Sequence, residues 1–280
     1  MRTIAHISDL HFGAVDAGVV EALRDALLVL APDLVAVSGD LTQRARDAQF
    51  RAARKFLDAL PFPRVVVPGN HDVPLYDVLS RFGNPLGNFR RHISGERFPA
   101  YQDDEIAACG ADTTRSFTIK DGGLRTTDVR RLGAWLDGLS PRVVRIVVCH
   151  HPLDAPSTTA QRLTYPRPDI AAMTTLIERG ADVFLTGHLH LSSTGHSAVR
   201  YPAHRRTAIL VGAGTATSHR SRGEGNAFNL LRVTAEEVSV DRMTWDSVRR
   251  EFSSTHVELF SRTDAGWTSA AVIPTAAPVP

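Results

Sequence analysis

Lysine is almost missing from this chain. Of its 32 basic residues only Lys55 and Lys120 are lysines, and the arginines are spread along the whole length. With a formal net charge of +2 there is no basic track to hold a polyanion, so nucleic acid is disfavoured as a partner and an anionic membrane surface gains no support. Cysteine is scarce as well. Cys109 and Cys149 are too few for a disulfide framework and form no C-x-x-C pair. Cys149 closes the apolar run "VVRIVVC" and is expected to pack as a small buried hydrophobe in a reducing compartment. Long hydrophobic runs are absent too. None reaches the ~18 apolar residues of a membrane helix, and the opening "MRTIAHISDLHF" has no apolar core of signal-peptide type. The expectation is a cytoplasmic protein with no membrane contact.

What is present alternates. Six runs read as strands: "TIAHIS" (3–8), "LVAVSG" (34–39), "RVVVPG" (64–69), "RVVRIVVC" (142–149), "DVFLTG" (182–187) and "TAILVG" (207–212). Helical periodicity lies between most of them, at 17–30, 46–60, 126–139 and 168–180, the last closing on Gly180 as a C-cap. Alternating strands and helices indicate an α/β protein, and periodicity alone suggests a doubly wound sheet. Residues 74–123 interrupt the pattern with a helix over 74–93, a loop and a strand "SFTIK" (116–120), and read as a cap-like insertion. Residues 226–262 read as three short strands. The organisation expected is one domain over 1–265, followed by a disordered, Pro-rich tail over 266–280.

The strands end alike. "SDLHFG" supplies Asp9 and His11, "SGDLTQ" Asp40, "PGNHD" Asn70 and His71, "CHHP" His150 and His151, and "TGHLH" His188 and His190. Ligands of α/β sheets bind beyond the carboxyl ends of strands, so these residues are expected to share one crevice. D-x-H and H-x-H each put both side chains on one side of an extended segment, and the Gly of "GNHD" is expected to permit a tight turn. Mixed imidazole and carboxylate donors suit transition metals and are too rich in nitrogen for Ca or Mg alone. About seven ligands exceed one tetrahedral ion but fit two ions that share a carboxylate.

The motifs D-x-H, G-D, G-N-H-D, H-H-P and G-H-x-H, in that order over residues 9–190, resemble those of the calcineurin-like metallophosphoesterase superfamily. "GDLTQRAR", "VPGNHDVPLY" and "GTATSHRSRGEGNAFN" (214–229) look most like its bacterial class III cyclic-nucleotide phosphodiesterase-type members. The resemblance implies a double β-sandwich, two facing mixed sheets flanked by α-helices, in place of the doubly wound sheet. It implies that Asp9, His11 and His190 hold one metal, that Asn70, His150 and His188 hold a second, and that Asp40 bridges them. His150 is the expected ligand of the "HH" pair, with His151 the alternative. Fe/Mn or Mn/Mn are the expected ions, and Zn also fits. His71 would bind no metal and would act on the leaving oxygen as general acid or charge stabiliser, with Asp72 orienting it. The implied reaction is hydrolysis of a small phosphodiester, a cyclic nucleotide or similar, by attack of a hydroxide bridging the two metals.

"GDLTQRA" and "GNHD" depart from the acidic protein-phosphatase motifs, which argues against a Ser/Thr phosphatase. A phosphomonoesterase or a repair-type nuclease on the same site stands as the alternative. A non-enzymatic scaffold on this fold would be expected to have lost ligands, and all seven are present. His6, mid-strand, reads as a core histidine. His219 and Arg222, in a Gly/Arg/Ser loop, are candidate substrate contacts at the rim. Self-association is left open, with the 74–123 insertion as the place for a dimer face.

Overall fold

The computed structural model describes residues 1–154, 169–199, 201, 206–219 and 223–274. All six expected strands form: β1 Arg2–Ile7, β2 Leu34–Ser38, β3 Arg64–Val67, β6 Val144–Cys149, β7 Val183–Thr186 and β9 Ile209–Gly212. The four periodic segments form α1 Ala17–Leu30, α2 Asp47–Asp58, α5 Thr126–Asp137 and α6 Ile170–Glu178. Asp16 caps α1 by accepting from the Gly18 and Val19 amides. Gly180, at φ +101°, takes the left-handed position past α6.

Two mixed sheets face each other. The first runs β13 (Gly266–Pro274), β12 (Glu251–Thr263), β11 (Glu237–Asp246), β10 (Ala227–Val233), β1, β2 and β3, and the second β4 (Ala100–Gln102), β5 (Ile106–Ala111), β6, β7, β9 and β8 (Ser193–His196). β1, β2 and β3 are parallel to one another, as are β5, β6, β7 and β9. Period-two alternation divides each strand between two cores. Ile4, Leu34, Ala36 and Val65 of the first sheet meet Ile106, Val144, Val183 and Ile209 of the second in the inter-sheet core. Ala5, Ile7, Val35 and Val37 turn outward onto the buried faces of α1 and α2. Val147 and Phe184 turn outward onto Leu132, Leu136, Met173 and Leu176 of α5 and α6. This is the sandwich, not the single doubly wound sheet that periodicity suggested. Strands covered on both faces are apolar throughout in either architecture, so the pattern does not separate them.

Three expectations fail locally. The helix over 74–93 is two short helices, α3 Val78–Gly83 and α4 Gly87–His92, broken where Pro85 removes a backbone donor. "SFTIK" is no strand, because the Arg81 guanidinium takes the carbonyls of Ser116 and Thr118. Part of the supposed insertion is sheet instead: β4 Ala100–Gln102 and β5 Ile106–Ala111 belong to the second sheet. Its sequence "IAACGA" is rich in Ala and Gly, which are poor strand formers, yet β5 lies between two neighbours and is wholly buried.

The C-terminal region is also more ordered than expected. β8 Ser193–His196 edges the second sheet, while β10 Ala227–Val233, β11 Glu237–Asp246 and β12 Glu251–Thr263 form a long antiparallel meander in the first. The tail read as disordered begins with β13 Gly266–Pro274, paired along β12. Trp267 holds it. Its side chain is fully buried, its indole N–H donates to Asp182, and Arg262 lies over its ring at 4.6 Å. Asp182 also accepts from the Arg145 amide and from Arg206, so one buried carboxylate ties the meander to the second sheet. Asp182→Ala would strand these donors and is expected to cost about 2–4 kcal/mol, read from the midpoint of urea unfolding. An unchanged midpoint would remove Asp182 from this role.

Candidate metal centre

The carboxyl ends of β1, β2 and β3 in one sheet and of β6 and β7 in the other converge, and all seven expected ligands lie there. Asp9, His11, Asp40 and His190 form one group whose ligand atoms lie within 4.8 Å of one another. His150, His151 and His188 form a second. The Asn70 side-chain oxygen sits 3.1 Å from His150 Nε2 and 2.9 Å from His188 Nδ1.

Each carboxylate has one oxygen tied and one facing the cluster. Asp40 Oδ1 accepts from the His71 amide at 2.7 Å, while Oδ2 lies 3.4 Å from His150 Nε2 and 3.8 Å from His11 Nε2. Asp9 Oδ2 accepts from the Ser8 hydroxyl and the His188 amide. Asp9 Oδ1, buried without a hydrogen-bond donor, lies 3.2 Å from His190 Nε2 and 3.6 Å from His11 Nε2. His11 Nε2 and His190 Nε2 are 3.1 Å apart. His150 Nδ1 sits 2.7 Å from the Ser38 carbonyl, which can only accept, so Nδ1 bears a proton and Nε2 is the nitrogen that faces the centre. Lone pairs and an undonated carboxylate oxygen aimed at common points are what a cation requires, and the donor set fits transition metals.

Backbone geometry departs from the extended segments expected. Eight non-glycine described residues have positive φ, and five are ligand candidates: Asp9, His11, Asp40, His188 and His190. Left-handed backbone is disfavoured for side chains with a Cβ, and such strain gathers at functional sites. Here it turns D-x-H and H-x-H back into the crevice. Gly69 is extended, not turned, and what it provides is room: a Cβ there would lie 2.2 Å from Asp40 Oδ1. At Gly187 a Cβ would meet Asp9 Oδ2 at 2.6 Å.

The charges are consistent with this arrangement. Burial opposes ionisation of Asp9 and Asp40, but the surrounding histidines hold both below the usual carboxylate range. Burial also lowers His150, yet Asp40 beside it prevails and lifts it to about 9, so a cation taking Nε2 would displace a proton held there by Asp40. His188, desolvated and next to His150, falls to about 3.

Some expected roles change. Asp72 does not orient the His71 ring. Its carboxylate, buried and raised to about 6 by burial and by Asp40, accepts from the Leu41, Thr42 and Gly69 amides and the Thr42 hydroxyl, stapling the β2 and β3 loops together. His71 is oriented instead by the Gln43 carbonyl, 2.9 Å from its Nδ1, while Arg44 donates to the same carbonyl and lies 3.3 Å from that nitrogen. The sequence reading passed over Gln43 and Arg44, although they follow Asp40 within "GDLTQR". His151 turns its Nδ1 to the Thr113 hydroxyl, whereas His150 faces Asp40 and Asn70. His219 is exposed on the loop after β9, which lies across the Asp9–His11 turn through Thr215 and Thr217. Arg222 lies outside the described residues. His6 is a core residue as expected, fully buried against Ser38 and lowered to about 3 by burial.

Comparison with known proteins agrees with this geometry. Residues 2–192 match the sequence profile of the calcineurin-like phosphoesterase family. A stretch of 82 residues is 40% identical to the glycerophosphodiester phosphodiesterase GpdQ of Enterobacter lignolyticus, covering 25% of this chain and 29% of that protein. Another of 81 residues is 32% identical to a probable cyclic nucleotide phosphodiesterase of Synechococcus, covering 26% of this chain and 32% of that one. The matches thus span about a third of these relatives. The fold is similar to the purple acid phosphatase PPD1 of yellow lupin, with a TM-score of 0.64 at 11% identity over 90% of this chain and 52% of that one. It is also similar to GAP50, described as the anchor in the inner membrane complex of Plasmodium, with a TM-score of 0.56 at 13% identity over 87% and 84%. A phosphatase and an anchor on one fold show that the fold alone does not decide activity. The extent of the profile match does decide the family: this chain belongs to the calcineurin-like phosphoesterases.

Proposed function

We propose that this protein is a two-metal phosphodiesterase of small diesters, cyclic nucleotides among them. Asp9, His11 and His190 would hold one ion, Asn70, His150 and His188 the other, and Asp40 would serve both. The observation that carries the reading is Asp40 itself, whose Oδ2 faces His11 on one side and His150 on the other while Oδ1 is tied to the His71 amide. Fe/Mn or Mn/Mn are the pairs favoured, with Zn also accommodated by these donors. Such a pair, when bound, polarises a phosphoryl group and yields a water-derived nucleophile at neutral pH.

The chain's own side chains account for the rest. The Gln43 carbonyl holds the His71 Nδ1–H, so a protonated ring presents Nε2–H to the leaving oxygen. His11 lies against the His71 ring at 4.9 Å, which keeps that ring beside the metal ligands. The names of the two curated relatives support a diester, and the near-neutral charge supports a small one. Cys109 and Cys149, both buried free thiols pushed up to about 12 by burial, suit the cytoplasmic setting we assign. No helix among the described residues is long and apolar enough to cross a membrane.

The test compares bis-p-nitrophenyl phosphate with p-nitrophenyl phosphate on Mn-reconstituted protein, with and without chelator. Activity that favours the diester and falls at least ~10³-fold on metal removal is expected, since the metals supply several kcal/mol. Preference for the monoester would move the assignment to a phosphatase. Protein that binds no metal would overturn the reading altogether.

A further inference from the structure

Twelve large hydrophobic side chains are strongly exposed among the described residues, and half of them, Tyr76, Val78, Leu79, Phe82, Phe117 and Ile119, lie within residues 76–119. Their exposures run from 52% at Phe82 to 89% at Phe117. They lie on two stretches of chain that the structure holds side by side. Helix α3 carries Val78, Leu79 and Phe82, and the Phe82 and Phe117 rings lie 5.3 Å apart. Arg81, only 8% exposed, donates to the carbonyls of Pro74, Ser116 and Thr118 and so clips the 116–118 segment onto α3. The apolar side chains are therefore held outward by a buried hydrogen-bonded clamp.

Area decides what such a surface fits. At roughly 150–250 Å² per aromatic side chain, and somewhat less per aliphatic one, the exposed fractions sum to on the order of 700 Å². That exceeds the largest apolar patch of an ordinary monomer, about 300–600 Å², and approaches the ~800 Å² that each partner buries in a stable interface. The rim carries both signs. Asp77, Arg115, Lys120 and Asp121 are exposed beside the patch, and their formal charges cancel. A balanced rim can complement itself across a two-fold axis, whereas an anionic bilayer would call for a basic excess.

We propose that this surface is an isologous dimer interface, with the patch of one chain docking on the same patch of a second copy. The interface also adjoins the metal centre. Ile119, with Leu75, walls the small recess of about 30 Å³ that is lined by Asn70, His71 and Arg44. The second copy would close the open side of that recess, next to the histidine proposed to act on the leaving oxygen.

Sedimentation velocity of the full chain at micromolar concentration, for wild type, Leu79→Glu and Phe117→Glu, tests this. Leu79 and Phe117 are 88% and 89% exposed, so both variants should keep the wild-type circular dichroism spectrum. Wild type is expected to sediment as a dimer of the 30.5 kDa chain, and each variant to dissociate at least ~10-fold more readily. Val29→Glu, at a side chain 85% exposed on α1, should leave the dimer intact. A monomeric wild type overturns the proposal. If that monomer co-sediments with vesicles of anionic phospholipid, the surface belongs to a lipid partner instead. A dimer indifferent to both patch variants places its interface elsewhere and equally overturns the proposal.

Discussion

Asp40→Asn is expected to reduce diester hydrolysis by about 10³-fold or more and to lower bound metal well below the wild-type stoichiometry, measured by elemental analysis after reconstitution. Asparagine has nearly the same shape, and its side-chain oxygen can still accept from the His71 amide. What it removes is the negative charge of the one carboxylate that faces both ligand groups, 3.4 Å from His150 and 3.8 Å from His11. A shared carboxylate offsets the repulsion between two adjacent cations, so its loss should be felt at both positions, and several kcal/mol of charge stabilisation correspond to that rate loss. Aspartate-to-asparagine variants can hide a folding defect. Circular dichroism and a urea midpoint near that of wild type are therefore part of the measurement. Full metal content with near wild-type turnover would show that Asp40 is not shared and that the two-ion reading is wrong.

His71→Ala is expected to do the opposite to metal and nearly the same to rate. Alanine keeps the backbone N–H that holds Asp40 Oδ1, so metal content should stay close to wild type. The ring, fixed at Nδ1 by the Gln43 carbonyl, is lost, and with it the proposed proton donor, a role worth about 10²–10⁴-fold. The loss should grow as the leaving alcohol becomes more basic, because p-nitrophenolate departs without help and an alkoxide does not. Comparing p-nitrophenyl esters with alkyl diesters reads this directly. A rate loss independent of the leaving group would move His71 from proton transfer to substrate positioning, and loss of metal would make it part of the coordination.

Much of the site was legible before any fold was known, for a physical reason. A metal ligand is drawn from a few residue types, and in α/β sheets ligand sites gather beyond the carboxyl ends of strands. Asp9, His11, Asp40, Asn70, His150, His188 and His190 could thus be read as a set from short motifs after apolar runs. Asp72 was given the wrong partner. A carboxylate next to His71 in sequence suggests a partner for its ring, but the 3-10 turn Asn70–Asp72 sends it to the amides of Leu41, Thr42 and Gly69. Gln43 and Arg44 were missed because the Gln43 carbonyl is a backbone group, and no side-chain motif marks a backbone acceptor.

By itself the sequence determined six of the strands, the main helices, and the types and order of the candidate ligands along the chain, because periodicity and residue chemistry are local properties. Only the tertiary structure decided the rest. It set two facing sheets against one another where doubly buried strands read alike. It recruited the Ala-rich β5 through pairing on both sides, and β13 through Trp267 and Asp182. It bent five ligand candidates into left-handed backbone, a cost that local preference opposes and surrounding packing sustains. It also set Phe82 of α3 against Phe117 through the Arg81 clamp, a contact between residues some 35 positions apart that no local pattern announces.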